Sequence, residues 1–160
     1  MLRRSLFACA LMLAGVVGFG SSAKAGTATV PFTATVATFC TLGTTTPGVL
    51  GVNTDSTGLG TDATTYNRSG TATEGKINLD CSKDTILGVT VAEDPTNPTT
   101  SATTAAKLKT SNGDATVGSD YTLTANINED ATVEMTAAAP AGDKFIPGSY
   151  TYTVTVTSTP

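Results

Sequence analysis

Tyr150-Thr151-Tyr152-Thr153-Val154-Thr155-Val156-Thr157 sets an aromatic or aliphatic side chain against threonine at every step. Successive side chains of an extended chain point to opposite faces, so this stretch predicts a strand with one dry and one wet face. The same period of two recurs upstream. From Ala28 to Ala37 the apolar side reads Ala28, Val30, Phe32, Ala34 and Val36, and the other side Thr29, Pro31, Thr33 and Thr35. Cys40 follows in phase with the apolar side. Ile77, Leu79 and Cys81 alternate with Asn78 and Asp80, and Leu87, Val89 and Val91 with Gly88 and Thr90. Tyr121, Leu123, Ala125 and Ile127 predict a further strand, and Val133 and Met135 a shorter one.

Turn dipeptides separate these runs: Pro47-Gly48, Asn112-Gly113 and Pro147-Gly148. The polar stretches 53–75 and 93–119 hold few apolar anchors and predict loops with weak edge strands. After the N-terminal segment no apolar period of 3.6 runs for a useful length. The expectation is therefore an all-β sandwich of six or seven short strands, immunoglobulin-like in topology.

The first residues have a different character. Arg3 and Arg4 precede an apolar run from Leu6 to Phe19, and Ala23-Lys24-Ala25 offers the small residues that a signal peptidase reads. Residues 1–25 are expected to be a signal peptide cleaved after Ala25. The apolar run falls short of the roughly 18–20 residues that a bilayer-spanning helix needs, the alternative being a retained anchor. Arg3-Arg4-Ser5-Leu6-Phe7 also loosely fits a twin-arginine signal, so the export route is open between that and ordinary unfolded export. Cys9 lies inside the apolar run rather than after it, where lipidation would need it.

Removing Arg3, Arg4 and Lys24 leaves six basic residues against thirteen acidic ones, a net charge of −7. That balance argues against nucleic acid and against anionic membrane surfaces as partners, both of which select basic patches. About a quarter of residues 26–160 are threonine, a β-branched residue suited to a pleated, half-wet surface. Such a composition also occurs in glycosylated stalks, but a disordered stalk has no need of ordered apolar alternation. Asn67-Arg68-Ser69 is a formal glycosylation sequon, a triplet that arises often by chance.

Catalysis finds few candidates. With no histidine in the chain, a Ser-His dyad is excluded, and zinc has no ligand set. Cys40 and Cys81 are the thiols that survive processing. In an oxidising compartment they are expected to form one disulfide, constraining the unfolded chain by about 4 kcal/mol. Glu129, Asp130 and Glu134 read as solvated charges near a turn. Asn53-Thr54-Asp55-Ser56-Thr57-Gly58 mimics the start of a calcium loop, yet Thr64 stands where that loop needs a bidentate glutamate. An Asx-rich turn is the expectation there. No cofactor and no enzymatic activity are expected.

Taken in order, the segments resemble one family. The alternating Gly26–Val36 segment is followed by Phe39-Cys40-Thr41-Leu42-Gly43, then Lys76-Ile77-Asn78-Leu79-Asp80-Cys81-Ser82, then Gly148-Ser149-Tyr150 leading into the Thr-Val terminus. This arrangement resembles the spore coat protein U-like family, which includes subunits of archaic chaperone–usher pili. The resemblance covers both ends and the cysteine pair, about half the processed chain. It implies an immunoglobulin fold (residues 40–160) lacking its final strand, preceded by a donor extension (residues 26–39).

A periplasmic chaperone would occupy the resulting groove first, by strand addition. The extension of another pilus subunit, alike or different, would then replace it at an outer-membrane usher. Val30, Phe32, Ala34 and Val36 would fill the groove, and Tyr150, Tyr152, Val154 and Val156 would border it. The product would be a surface pilus serving adhesion or biofilm attachment. The alternative is a self-contained sandwich with residues 28–37 as its own first strand, acting as a monomeric secreted binding module for carbohydrate or protein.

Overall fold

The computed structural model describes residues 27, 29–68, 70–99 and 102–160. The expected signal segment, residues 1–25, lies outside them, as does Ser69 of the sequon. The chain divides into two units, Met1–Thr35 and Val36–Pro160.

In the first unit, the described residues belong to no strand, and Val30 and Phe32 are 71% and 92% exposed. Among the described residues strand structure begins at Cys40, so within one chain the alternation from Thr29 to Ala37 does not by itself make a strand. An extended segment gains nothing from alternation until a second surface covers its apolar side and a neighbour takes its backbone groups.

The second unit is all-β. Among its described residues ten strands follow in chain order: β1 (Cys40–Thr46), β2 (Gly51–Val52), β3 (Gly58–Gly60), β4 (Gly75–Cys81), β5 (Ile86–Glu93), β6 (Thr103–Lys109), β7 (Asp114–Thr116), β8 (Tyr121–Thr122), β9 (Ile127–Ala138) and β10 (Tyr152–Thr159). They form two antiparallel sheets. In the larger, β9 is central. Its first half pairs with β4 and its second half with β3, while β6 takes the opposite side. β1 closes the sheet beyond β4, β2 beyond β3, and β7 beyond β6. In the smaller sheet β5 lies between β10 and β8.

The inward faces share one core. Leu79, Leu87, Leu108 and Leu123 are fully buried, joined by Ile77, Val89, Ile127 and Met135. Cys40 and Cys81 stand opposite each other in the β1–β4 register and form the expected disulfide. Among the described residues no helix is long and apolar enough to cross a membrane.

Three expectations need correction. The strand predicted over Tyr121–Ile127 is broken: β8 ends at Thr122, and Ile127 instead opens the long β9 that also contains Val133 and Met135. Thr85 takes up the backbone at the break, its carbonyl accepting the Leu123 amide at 2.8 Å. The region 93–119, read as loops and weak edges, contains β6, paired along its whole length with β9. The carboxylates expected near a turn sit within β9. There Asp130 accepts from Asn78 Nδ2 (3.0 Å), Glu129 from the Ser111 amide (2.7 Å) and Glu134 from Lys109 (2.9 Å).

The calcium-like stretch is a turn joining β2 to β3, braced by the side chain of Asn53. Asn53 Oδ1 accepts from the amides of Thr57 (2.9 Å) and Gly58 (3.1 Å), which draws the two ends of the loop together.

Candidate functional site

A groove of about 770 Å³ opens where the edges of the two sheets approach each other. One lip is β10, which pairs with β5 on one side and with no other strand among the described residues. The facing lip is the end of β1 and the chain that follows it, Thr45 to Leu50. Ile77 from β4 and Val133 and Met135 from β9 form the floor.

Burial along β10 shows what the groove does to the wall. Thr153, Thr155 and Thr157 face solvent, and Tyr152, Val154 and Val156 face inward but stay only half-buried. Their cross-strand partners Val91 and Val89 belong to the same inner face, and Val89 is 3% exposed. One strand in from the edge Val89 is buried while Val91 is half-buried; along β10 all three inward residues stay half-buried. Backbone N–H and C=O groups on the free side of an edge strand have only water to bond.

The upper end of the groove is polar. Tyr152 lies opposite Glu93, and neither the Tyr152 hydroxyl nor Glu93 Oε1, both shielded from water, has a hydrogen-bond partner. Desolvation, reinforced by the charge of Glu93, pushes the Tyr152 phenol up to about 12.

Tyr150, expected on the last strand, precedes it. Its hydroxyl lies 2.9 Å from Thr99 Oγ1 and 2.9 Å from the Ile146 carbonyl, and its ring meets Phe145 edge-on at 5.1 Å. It borders the groove as a fixed post. Tyr152, Val154 and Val156 stand on the strand as expected.

Asn97 was not foreseen from the sequence. This buried amide accepts the Thr151 N–H at 2.8 Å and donates to the Thr151 carbonyl at 3.0 Å, which clips the start of β10 in place. The signal available was Asp94-Pro95-Thr96-Asn97, a turn-forming run whose Asp94 carboxylate accepts from Thr96. Those hydrogen bonds lower the Asp94 pKa.

Phe39 is held through both of its backbone groups. Its amide donates to Ser82 Oγ (2.9 Å), and its carbonyl accepts from the Ser82 amide (2.8 Å) and from Thr85 Oγ1 (3.3 Å). With the disulfide one residue on, this fixes where the chain enters β1.

Of the sequence-predicted donor residues, Val30 and Phe32 are exposed in the first unit, and Val36 is 85% exposed at the start of the second. Ala34 is exposed as well. A smaller apolar recess of about 310 Å³ lies over β6 and β9 beside Val117. Comparison of the chain with family models, with curated proteins and with solved structures gives no match in any of the three.

Proposed function

We propose that the chain is a structural subunit of a surface pilus, assembled by donor-strand exchange after export through the periplasm. One observation carries this reading: the inner face of a terminal strand is left half-covered beside an open groove, in a chain with an exposed, alternating apolar segment ahead of its first strand.

The order of strands supports it. Taking β1, β4, β5, β6, β9 and β10 as the first six strands of a constant-type immunoglobulin sandwich gives A-B-E-D in one sheet and F-C in the other. Among the described residues no strand takes the seventh place, which is beside β10, where the groove lies. The fold is then an incomplete sandwich, and the complement is a strand from another polypeptide.

The lengths agree. The groove wall made by β10 and the two residues before it runs from Tyr150 to Val156, and the apolar residues of the extension run from Val30 to Val36. Each spans about 20 Å at roughly 3.3 Å per extended residue. Val30, Phe32, Ala34 and Val36 then occupy the groove of another subunit, over Ile77, Val133 and Met135.

Burying a large apolar side chain contributes about 1.5–3 kcal/mol, and each ladder hydrogen bond about 1 kcal/mol net. Pro31 has no N–H to give to the ladder. Summed along the segment, these terms make a joint that opens slowly. A periplasmic chaperone holds the groove before assembly, and an outer-membrane usher is where the exchange takes place.

The test is the assembly state of residues 26–160 on unreduced, unheated gels and by native mass. Ladders that vanish when residues 26–37 are deleted support the pilus reading. A folded protein that stays monomeric at every concentration, with its groove binding a sugar or a foreign peptide, overturns it in favour of a secreted binding module.

A further inference from the structure

We infer that the chain is built so that it cannot fill its own groove, which reserves the groove for a second copy of the same extension. This rests on the pilus reading above and adds a specific cause: the tether between the extension and β1 is too short and is pinned at the wrong place.

Phe39 is bonded to Ser82 and Thr85, and Cys40 is covalently joined to Cys81, so any reversal of the chain must be made before Phe39. The tightest reversal is a two-residue hairpin at Ala37-Thr38. Such turns need φ > 0 at one or both central residues and favour Asn or Gly. Residues 30–39 contain no glycine, asparagine or aspartate.

Register is the larger obstacle. With that hairpin Val36 would lie opposite Phe39, Ala34 opposite Thr41, Phe32 opposite Gly43 and Val30 opposite Thr45. On the β1 side the groove begins only at Thr45. Three of the four apolar residues would therefore stop short of it, and only Val30 would arrive. A longer loop makes matters worse, since every residue spent on the turn draws the strand further back. An extension from another molecule carries no such tether and can slide until all four residues are seated.

A longer tether would undo the block. Six residues inserted between Thr38 and Phe39, ending in Asn-Gly, would move Val36 opposite Thr45 and Val30 opposite Gly51, along the groove.

The experiment measures uptake of a labelled synthetic peptide, residues 29–36, by the 26–160 chain at high dilution. The reference is the F32D/V36D chain, whose exposed substitutions disable its own extension. The wild-type chain should bind the peptide within about threefold of that reference. The six-residue insertion should weaken uptake by about tenfold or more and yield a monomer. Placing the insertion in the F32D/V36D background should restore uptake.

Two results would overturn the inference while leaving the pilus reading intact: a wild-type chain that already excludes the peptide about tenfold relative to F32D/V36D, or an insertion that changes nothing. If F32D/V36D itself takes up no peptide, the pilus reading fails and the inference with it. Should the insertion prevent folding, the comparison of wild type with F32D/V36D still decides.

Discussion

Tyr152 and Glu93 face each other across the β10–β5 register, and the Tyr152 hydroxyl and Glu93 Oε1 are each shielded from water without a hydrogen-bond partner. Folding therefore favours the neutral phenol, first through desolvation and then through the neighbouring carboxylate. A folded pKa of about 12 above an ordinary 10 means the native state holds this proton more tightly than the unfolded chain. The stabilisation is complete below pH 10 and is lost as pH rises from about 10 to about 12. Denaturant melts across that range should show stability falling, and Tyr152→Phe should flatten the fall. A wild-type protein whose stability is level from pH 10 to 12 would contradict the assignment.

Asn97 closes both backbone groups of Thr151 with one amide. Asn97→Ala leaves the Thr151 N–H without that partner, while its carbonyl keeps the Asp94 amide at 3.1 Å, so the cost should be about 0.5–1.5 kcal/mol. Hydrogen exchange should speed up first at Thr151 and Tyr152, with β4 and β9 protected as before. Uniform loss of protection across the sheets would show that Asn97 acts on the whole fold rather than on the start of β10.

Joining Cys40 to Cys81 closes a loop whose ends are 41 residues apart in sequence. By chain entropy its removal should cost about 4 kcal/mol, a large share of the stability of a domain this size. Cys40→Ser/Cys81→Ser and the reduced protein should both melt well below the oxidised one. Equal melting curves with and without reductant would refute the bond.

Leu108 in β6 is as fully buried as Leu79 in β4. Leu108→Ala should therefore cost about 2–5 kcal/mol, comparable with Leu79→Ala. A change of only a few tenths would place β6 outside the core.

Phe32→Asp makes the opposite test. At 92% exposed, Phe32 contributes little to the single chain, so thermal stability should move by no more than about 0.5 kcal/mol. Assembly should nevertheless fail, because an aspartate would have to enter an apolar groove. Normal ladders from this variant would remove Phe32 from the joint.

Alternation revealed the strands in which one face is buried by branched or aromatic residues: β4, β5 and β10 follow it almost residue for residue. β6 escaped because Thr103-Thr104-Ala105-Ala106-Lys107-Leu108-Lys109 carries only Ala106 and Leu108 on its buried side, too little contrast to stand out among polar neighbours. The break after Thr122 was hidden for the opposite reason. Leu123 and Ile127 are both buried and keep the period of two, although the chain turns between them. At the site, Tyr152, Val154 and Val156 were legible because all three lie on one strand and keep its period of two. Asn97 and the Ser82 hold on Phe39 were not, because each joins segments more than forty residues apart.

The disulfide has a mechanical consequence. A pull on the residues ahead of Cys40 reaches β1, an edge strand that could be peeled away one hydrogen bond at a time. Instead the Cys40–Cys81 bond passes the load at once into β4, which β1 and β9 flank on both sides. Rupture would then require shearing an interior strand along its length, so the oxidised molecule should withstand stretching far better than its reduced counterpart.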